Sequence, residues 1–250
     1  MFTDTHCHFE KQYYDDFNQV INNALENNVN RFIACGCSKS SNIEALNFAN
    51  KNDNVYTTIG YHPDQADIFS DDDLNLLREQ IMNNNKVIGI GEIGLDYHYE
   101  GYNKEKQIEL FEKQLKLAEE LNKPVVIHSR DAVQDTIDIL KKYHVKGIIH
   151  SFSGSLEVAK IYISMGYKLG INGVVTFKNS NLPITLASLN PKDIVLETDS
   201  PYLTPEPYRG TRNESKNIIY IAKKVTDIYQ IGLEKLSEIT NTNIREIFDI

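Results

Sequence analysis

Eight short apolar runs recur along the chain, each followed by a longer stretch: MFTDT, RFIAC, VYTTIG, KVIGIG, PVVIH, KGIIH, YKLGIN and DIVLET. No other feature restricts the possible folds so strongly. A strand, a crossover helix and a further strand impose parallel pairing with helices packed outside. The helical stretches are amphipathic: in NKEKQIELFEKQLKLAEELN, residues Ile108, Phe111, Leu115, Ala118 and Leu121 fall on one stripe. Eight such units in 250 residues favour closure into an α/β (β/α)8 TIM barrel over an open sheet. Neither a linker nor a composition break interrupts the alternation, so residues 1–250 read as a single domain. The closing stretch GLEKLSEITNTNIREIFDI reads as one more helix laid on the outside.

A barrel gives the polar residues their place. His6 and His8 close the first strand, His62 follows the third and Glu92 follows the fourth. His128 closes the fifth, His150 closes the sixth and Asp199 follows the eighth. The C-terminal strand ends of such a barrel share one rim, where active sites lie. Taken singly, each histidine is an ordinary hydrogen-bonded strand end; taken together they are a ligand set. Alternate side chains of a strand share a face, so His6 and His8 point the same way, together with Asp4, and Cys7 points to the other side.

Imidazole and carboxylate are the ligands of transition-type divalent ions. His6, His8, Glu92, His128, His150 and Asp199 exceed what one catalytic ion with an open position requires, so the expectation is two divalent ions, Mg, Mn or Zn. Paired ions about 3.5–4 Å apart need a carboxylate that bridges them, for which Glu92 is the candidate; Asp199 would bind one ion and hold the attacking water.

Charge narrows the partners. A formal net charge of -9 argues against a broad basic face that coats nucleic acid, yet leaves room for a small local phosphate site. Hydrophobic residues at 41% are ordinary for a globular chain, and no apolar run approaches the roughly 20 residues of a membrane helix. The first residues lack the basic, apolar and small-residue succession of a secretory signal. Cys7, Cys35 and Cys37 are odd in number, and Cys-Gly-Cys is too tight for a usual zinc or redox pair. Free thiols in a cytoplasmic protein, with no membrane and no protein partner in evidence, are the resulting expectation. Asn-rich patches such as NNALENNVN and MNNNK read as polar helix faces or turns.

The motifs THCH, GYHP, GEIGLDYH, IHSRDA, HSFSG and ETDSPYLTPEPYRGTRNES resemble, in order and spacing, those of the TatD-like metal-dependent deoxyribonucleases of the amidohydrolase superfamily. The resemblance runs through the whole chain. It implies that His6, His8, Glu92 and Asp199 hold one ion, that Glu92, His128 and His150 hold the other, and that His62 and Arg130 lie near the substrate phosphate. Departures are mild: Ser151 stands where relatives often carry Cys, and Tyr208 where His is common.

Hydrolysis of a phosphodiester follows, the ions lowering the pKa of a shared water toward about 7 and polarising the phosphoryl oxygen. Asp199 would take the proton, with Glu92 its partner in catalysis, while His62 and Arg130 steady the phosphate for in-line attack. The resemblance suggests DNA or an oligonucleotide gripped and cleaved at an end, and the acidic balance agrees. Two other readings stay open: an ester or amide hydrolase, such as a D-aminoacyl-tRNA deacylase, and a non-catalytic module that binds metal or phosphate.

The remaining polar residues have plainer readings. His144 reads as a helix C-terminal cap and Asn213 as an N-cap, and His98 as a solvated loop residue. Asp96 either supports a metal-bound histidine or stabilises its loop. Arg209 and Arg212 could face the rim or solvent.

Overall fold

A computed structural model describes all 250 residues. Every expected strand is present: β1 (Phe2–Cys7), β2 (Val29–Cys35), β3 (Val55–Ile59), β4 (Val87–Asp96), β5 (Val125–Arg130), β6 (Gly147–Ile149), β7 (Lys168–Ile171) and β8 (Ile194–Leu196). Between and after them lie α1 (Phe17–Glu26), α2 (Lys39–Ala49), α3 (Asp71–Met82), α4 (Lys104–Glu120), α5 (Val133–Leu140), α6 (Leu156–Ser164), α7 (Leu182–Leu186), α8 (Ile218–Tyr229) and α9 (Leu233–Phe248). The strands follow one another as β1 to β8 in one sheet. Parallel strands in sequential order with helical crossovers are the connectivity of a (β/α)8 barrel. No helix is long and apolar enough to cross a membrane.

By packing, the chain divides into two compact units, Met1–Ala34 with Ser151–Ile250, and Cys35–His150. In the first unit β7 pairs β8, β1 pairs β2, and a bridge from Cys7 to Ser200 links β1 to the segment after β8. Asp4 locks that closure. Its buried carboxylate accepts from the Thr198 amide at 2.9 Å and from the Thr198 hydroxyl at 2.6 Å. Burial pushes the Asp4 carboxyl up to about 7, against the pull of those donors. Close approach also fixes Gly170 in β7, because a Cβ there would lie 2.2 Å from Oε2 of the buried Glu197.

In the second unit β3, β4, β5 and β6 pair in succession. Helix starts follow from capping: Ser38 and Ser70 open α2 and α3 with reciprocal capping boxes, and Asp71, Asp72 and Asp73 place negative charge in the first turn of α3. The asparagine patches are polar helix faces and turns, as expected, with Asn22 and Asn23 inside α1 and off its buried face. Asn27 caps α1, Asn28 takes a left-handed φ of 62°, and Asn83 caps α3.

The stripe expected for α4 is partly displaced. Phe111, Leu115 and Ala118 are buried, Ile108 and Leu121 only half so, and two glutamines are buried in their company. Gln107 accepts from the Asp96 amide at 2.9 Å and donates to the Asp96 carbonyl at 2.8 Å. Gln114 does the same for Tyr61, at 2.8 and 2.9 Å. Each side-chain amide thus completes the backbone of a strand end that has run out of neighbours, the cheapest way to bury peptide groups outside a ladder.

Candidate metal centre

Within the first unit, the backbone sets the ligands before the side chains do. The Asp199 amide donates to the His6 carbonyl at 2.9 Å, and the His8 amide to the Ser200 carbonyl at 2.8 Å. β1 and the segment after β8 therefore run in register just where they carry polar side chains. His6 and His8 turn to the same side, as strand alternation requires, and their Nε2 atoms lie 3.2 Å apart. Asp199 Oδ1 is 3.7 Å from His6 Nε2 and 3.5 Å from His8 Nε2. Four ligands around an ion at about 2.1 Å stand about 3.4 Å from one another in a tetrahedron. The trio fits three corners of that figure, and its two nitrogens and one oxygen suit a divalent ion. Cys7 points away: its thiol donates to the Ile33 carbonyl at 3.4 Å, and burial raises its pKa.

In the second unit, Glu92, His128 and His150 bring ligand atoms within 4.8 Å of one another. Glu92 Oε1 is 2.7 Å from His128 Nδ1 and 3.8 Å from His150 Nε2. One edge of this trio is shorter than any in the first, since Glu92 and His128 share a hydrogen bond that an ion would replace. β4 runs through to Asp96, so Glu92 sits inside the strand and does not follow it as expected. Asp96 settles both of its readings. Oδ2 lies 3.1 Å from His128 Nε2, and Oδ1 accepts from the His98 amide at 2.9 Å, so one carboxylate orients the imidazole and ties down the loop. Burial disfavours a charge on His128, but the hydrogen bonds it donates to Asp96 and Glu92 prevail and push its pKa up to about 9. For Asp96, burial acts upward, and the contacts with His128 and the His98 amide hold the carboxyl below its usual range.

His62 stands beside this trio, its ring 4.5 Å from that of His128. His62, Asp96 and His128 form a further group with ligand atoms within 4.8 Å. Arg130 ends β5 with its side chain exposed. Its guanidinium lies over the exposed Tyr99 ring at 5.2 Å and donates to the Tyr99 hydroxyl at 3.3 Å, so the cation is aligned by an aromatic and not by the ligands.

Two plainer readings are corrected, and a third holds. Asn213 caps no helix; it is buried, with Nδ2 donating to the Thr198 and Tyr202 carbonyls at 3.0 and 2.7 Å, and so clamps the loop that carries Asp199. His144 lies beyond Lys141, the residue that caps α5, and its amide donates to Glu119 at 2.7 Å. His98 is an exposed loop residue, as expected, with Nδ1 paired to Asp131 Oδ2 at 2.8 Å. Glu10 was not foreseen: its carboxylate lies 3.8 Å from His8 Nδ1, and its position two residues past His8 was the available signal.

Strand ends carrying histidine and carboxylate clusters on this connectivity define a metal-dependent hydrolase of the (β/α)8 class. Comparison with known proteins supplies the family. The family described as TatD related DNase matches residues 3–249, and the chain belongs to it. It is 38% identical over 255 residues to the uncharacterized metal-dependent hydrolase YabD of Bacillus subtilis, covering 100% of each. Against the uncharacterized metal-dependent hydrolase YcfH of Escherichia coli K12 it is 32% identical, covering 99% of this chain and 95% of that one. Among solved structures it resembles YJJV, a TatD homolog from Escherichia coli K12, with a TM-score of 0.95 and 27% identity over 100% of this chain and 98% of the other.

Proposed function

We propose that the chain is a deoxyribonuclease that hydrolyses phosphodiester bonds at a DNA end, using two divalent ions. The observation that carries this reading is the His6, His8 and Asp199 trio, whose edges of 3.2, 3.7 and 3.5 Å match the ligand spacing around one ion. Glu92, His128 and His150 supply the donors for a second, and the family resemblance gives Glu92 to both. The ions, when bound, lower the pKa of water and draw charge from the phosphoryl oxygen. Asp199 accepts the proton of the attacking water. His62 holds one phosphate oxygen, and Arg130 offers a planar fork of donors to another. A net charge of -9 supports a grip on one or two terminal nucleotides and not on a long stretch.

The test is a substrate panel of DNA oligonucleotides, D-aminoacyl-RNA and simple phosphodiesters, each run with and without chelator. Nucleotide release that depends on metal and reaches two ions per chain by metal analysis is the expected result. Asp199→Asn keeps size but loses the base and an anionic ligand, so cleavage falls about 10²-fold to 10⁴-fold, and oligonucleotide binding falls less. Deacylation of D-aminoacyl-RNA with no nucleotide release would leave the metal chemistry standing and remove the nuclease.

A further inference from the structure

Three residues past Asp199, Tyr202 is held by more contacts than an exposed side chain needs. Its amide donates to the Asp199 carbonyl at 2.8 Å, and its carbonyl accepts from the buried Asn213. Its ring centroid lies 6.1 Å from that of His8 and 5.8 Å from that of Tyr13, edge to face in both cases. The hydroxyls of Tyr13 and Tyr202 share a hydrogen bond of 2.5 Å. Yet Tyr202 remains 49% exposed. Arg212 completes the group: it donates to the Tyr13 carbonyl at 2.6 Å and lies 4.7 Å over the Tyr14 ring, with about half its side chain in solvent.

Fixing an exposed ring costs rotamer freedom and gains little from burial. Here the cost is met by a hydroxyl pair and two backbone bonds, with Arg212 holding the backbone of the bracing Tyr13, and the product is a rigid aromatic surface in contact with a ligand histidine. Arg212 and Tyr202 both lie in the ETDSPYLTPEPYRGTRNES motif, whose arginines had no assigned role. Planar aromatic faces beside a positive group bind single nucleotides by stacking, and they do so whatever the base, as an enzyme working inward from an end requires.

We infer that Tyr202, braced by Tyr13, is the platform on which the base of the terminal nucleotide stacks, with Arg212 meeting an adjoining phosphate. The inference rests on the nuclease reading for its substrate class and specifies the subsite. Tyr208, in the same motif, has its hydroxyl engaged with that of Tyr220 at 3.1 Å and shows no ring contact with a ligand histidine.

The chain contains no tryptophan, so Tyr202→Trp introduces a single reporter. With Mg present, deoxyadenosine 5′-monophosphate should quench its emission saturably, and 2-deoxyribose 5-phosphate, which has the phosphate and no base, should not. Kinetics give the second arm. Tyr202→Ala should lower kcat/KM about 10-fold to 100-fold on thymidine 5′-(p-nitrophenyl phosphate), leave methyl p-nitrophenyl phosphate nearly unaffected, and be rescued by Tyr202→Phe, which keeps the ring. Absent quenching, or equal loss on both esters, overturns the platform. Oligonucleotide turnover by the unaltered chain separates the two claims: no nucleotide release with quenching intact rejects the nuclease and keeps the platform, and release without quenching does the reverse. Should Tyr202→Ala fail to fold, the Trp and Phe variants decide.

Discussion

His6, Cys7 and His8 are three consecutive residues with opposite prospects. Because the two imidazoles converge and the thiol bonds to Ile33, Cys7→Ala should leave turnover nearly intact, and His6→Ala or His8→Ala should each remove about one ion per chain and most activity. Equal damage from all three, in matched metal analyses and rate assays, would contradict the geometry. His128 carries a different expectation. Its folded pKa of about 9 lies above the ordinary 6.5, so in chelated protein its contribution to stability is present in full below about pH 6.5 and is lost as pH rises through about 9. Urea midpoints of chelated protein should therefore fall across that window, and His128→Gln should flatten the fall. A wild-type profile that is level between these limits would remove the ion pairing with Glu92 and Asp96 from the account.

At the level of the element, α4 acts as a splint. Gln107 and Gln114, seven residues apart, face the same way after two helical turns and each brackets one strand end. Truncating either to Ala orphans one buried amide and one buried carbonyl, at about 1–3 kcal/mol each. That is a large share of a typical stability of about 5–15 kcal/mol. Gln114→Ala should lower Tm clearly, and Gln114→Glu should do the same, because a carboxylate can accept from Tyr61 and cannot donate to it. A thermal melt unchanged by either substitution would show the brackets to be idle. These glutamines also mark the limit of what the residues disclosed. All eight strands were legible, since apolar runs between amphipathic segments have no other economical packing, and the six ligand candidates followed from their expected strand ends, although Glu92 lies inside β4. Gln107 and Gln114 were not legible, because glutamine on a helix ordinarily faces water and only the partner strand end makes it an interior residue. Asn213 escaped for the same reason: a local cap and a clamp on Thr198 and Tyr202 look alike until the distant carbonyls are known.

For the whole molecule, acidity sets how substrate is held. A chain of net charge -9 that engages one or two phosphates should show an oligonucleotide affinity that falls only gently with salt, by about one log unit per log unit for each phosphate neutralised. Binding measured from low to moderate salt should give a slope near 1 to 2; a much steeper one would mean a long footprint. The split of the ligands between the two units has a consequence for biosynthesis. Glu92, His128 and His150 belong to one continuous segment and can meet once residue 150 has left the ribosome. His6 and His8 must wait for Asp199, about 2–10 s of further translation. During that interval Asp4 also lacks Thr198, so the earliest strand of the chain is left with its acid and both imidazoles unmatched. Nascent chains arrested at Thr198, just short of Asp199, should therefore take up a divalent ion through the Glu92, His128 and His150 cluster alone, and the first residues to be made should be among the last to acquire their metal.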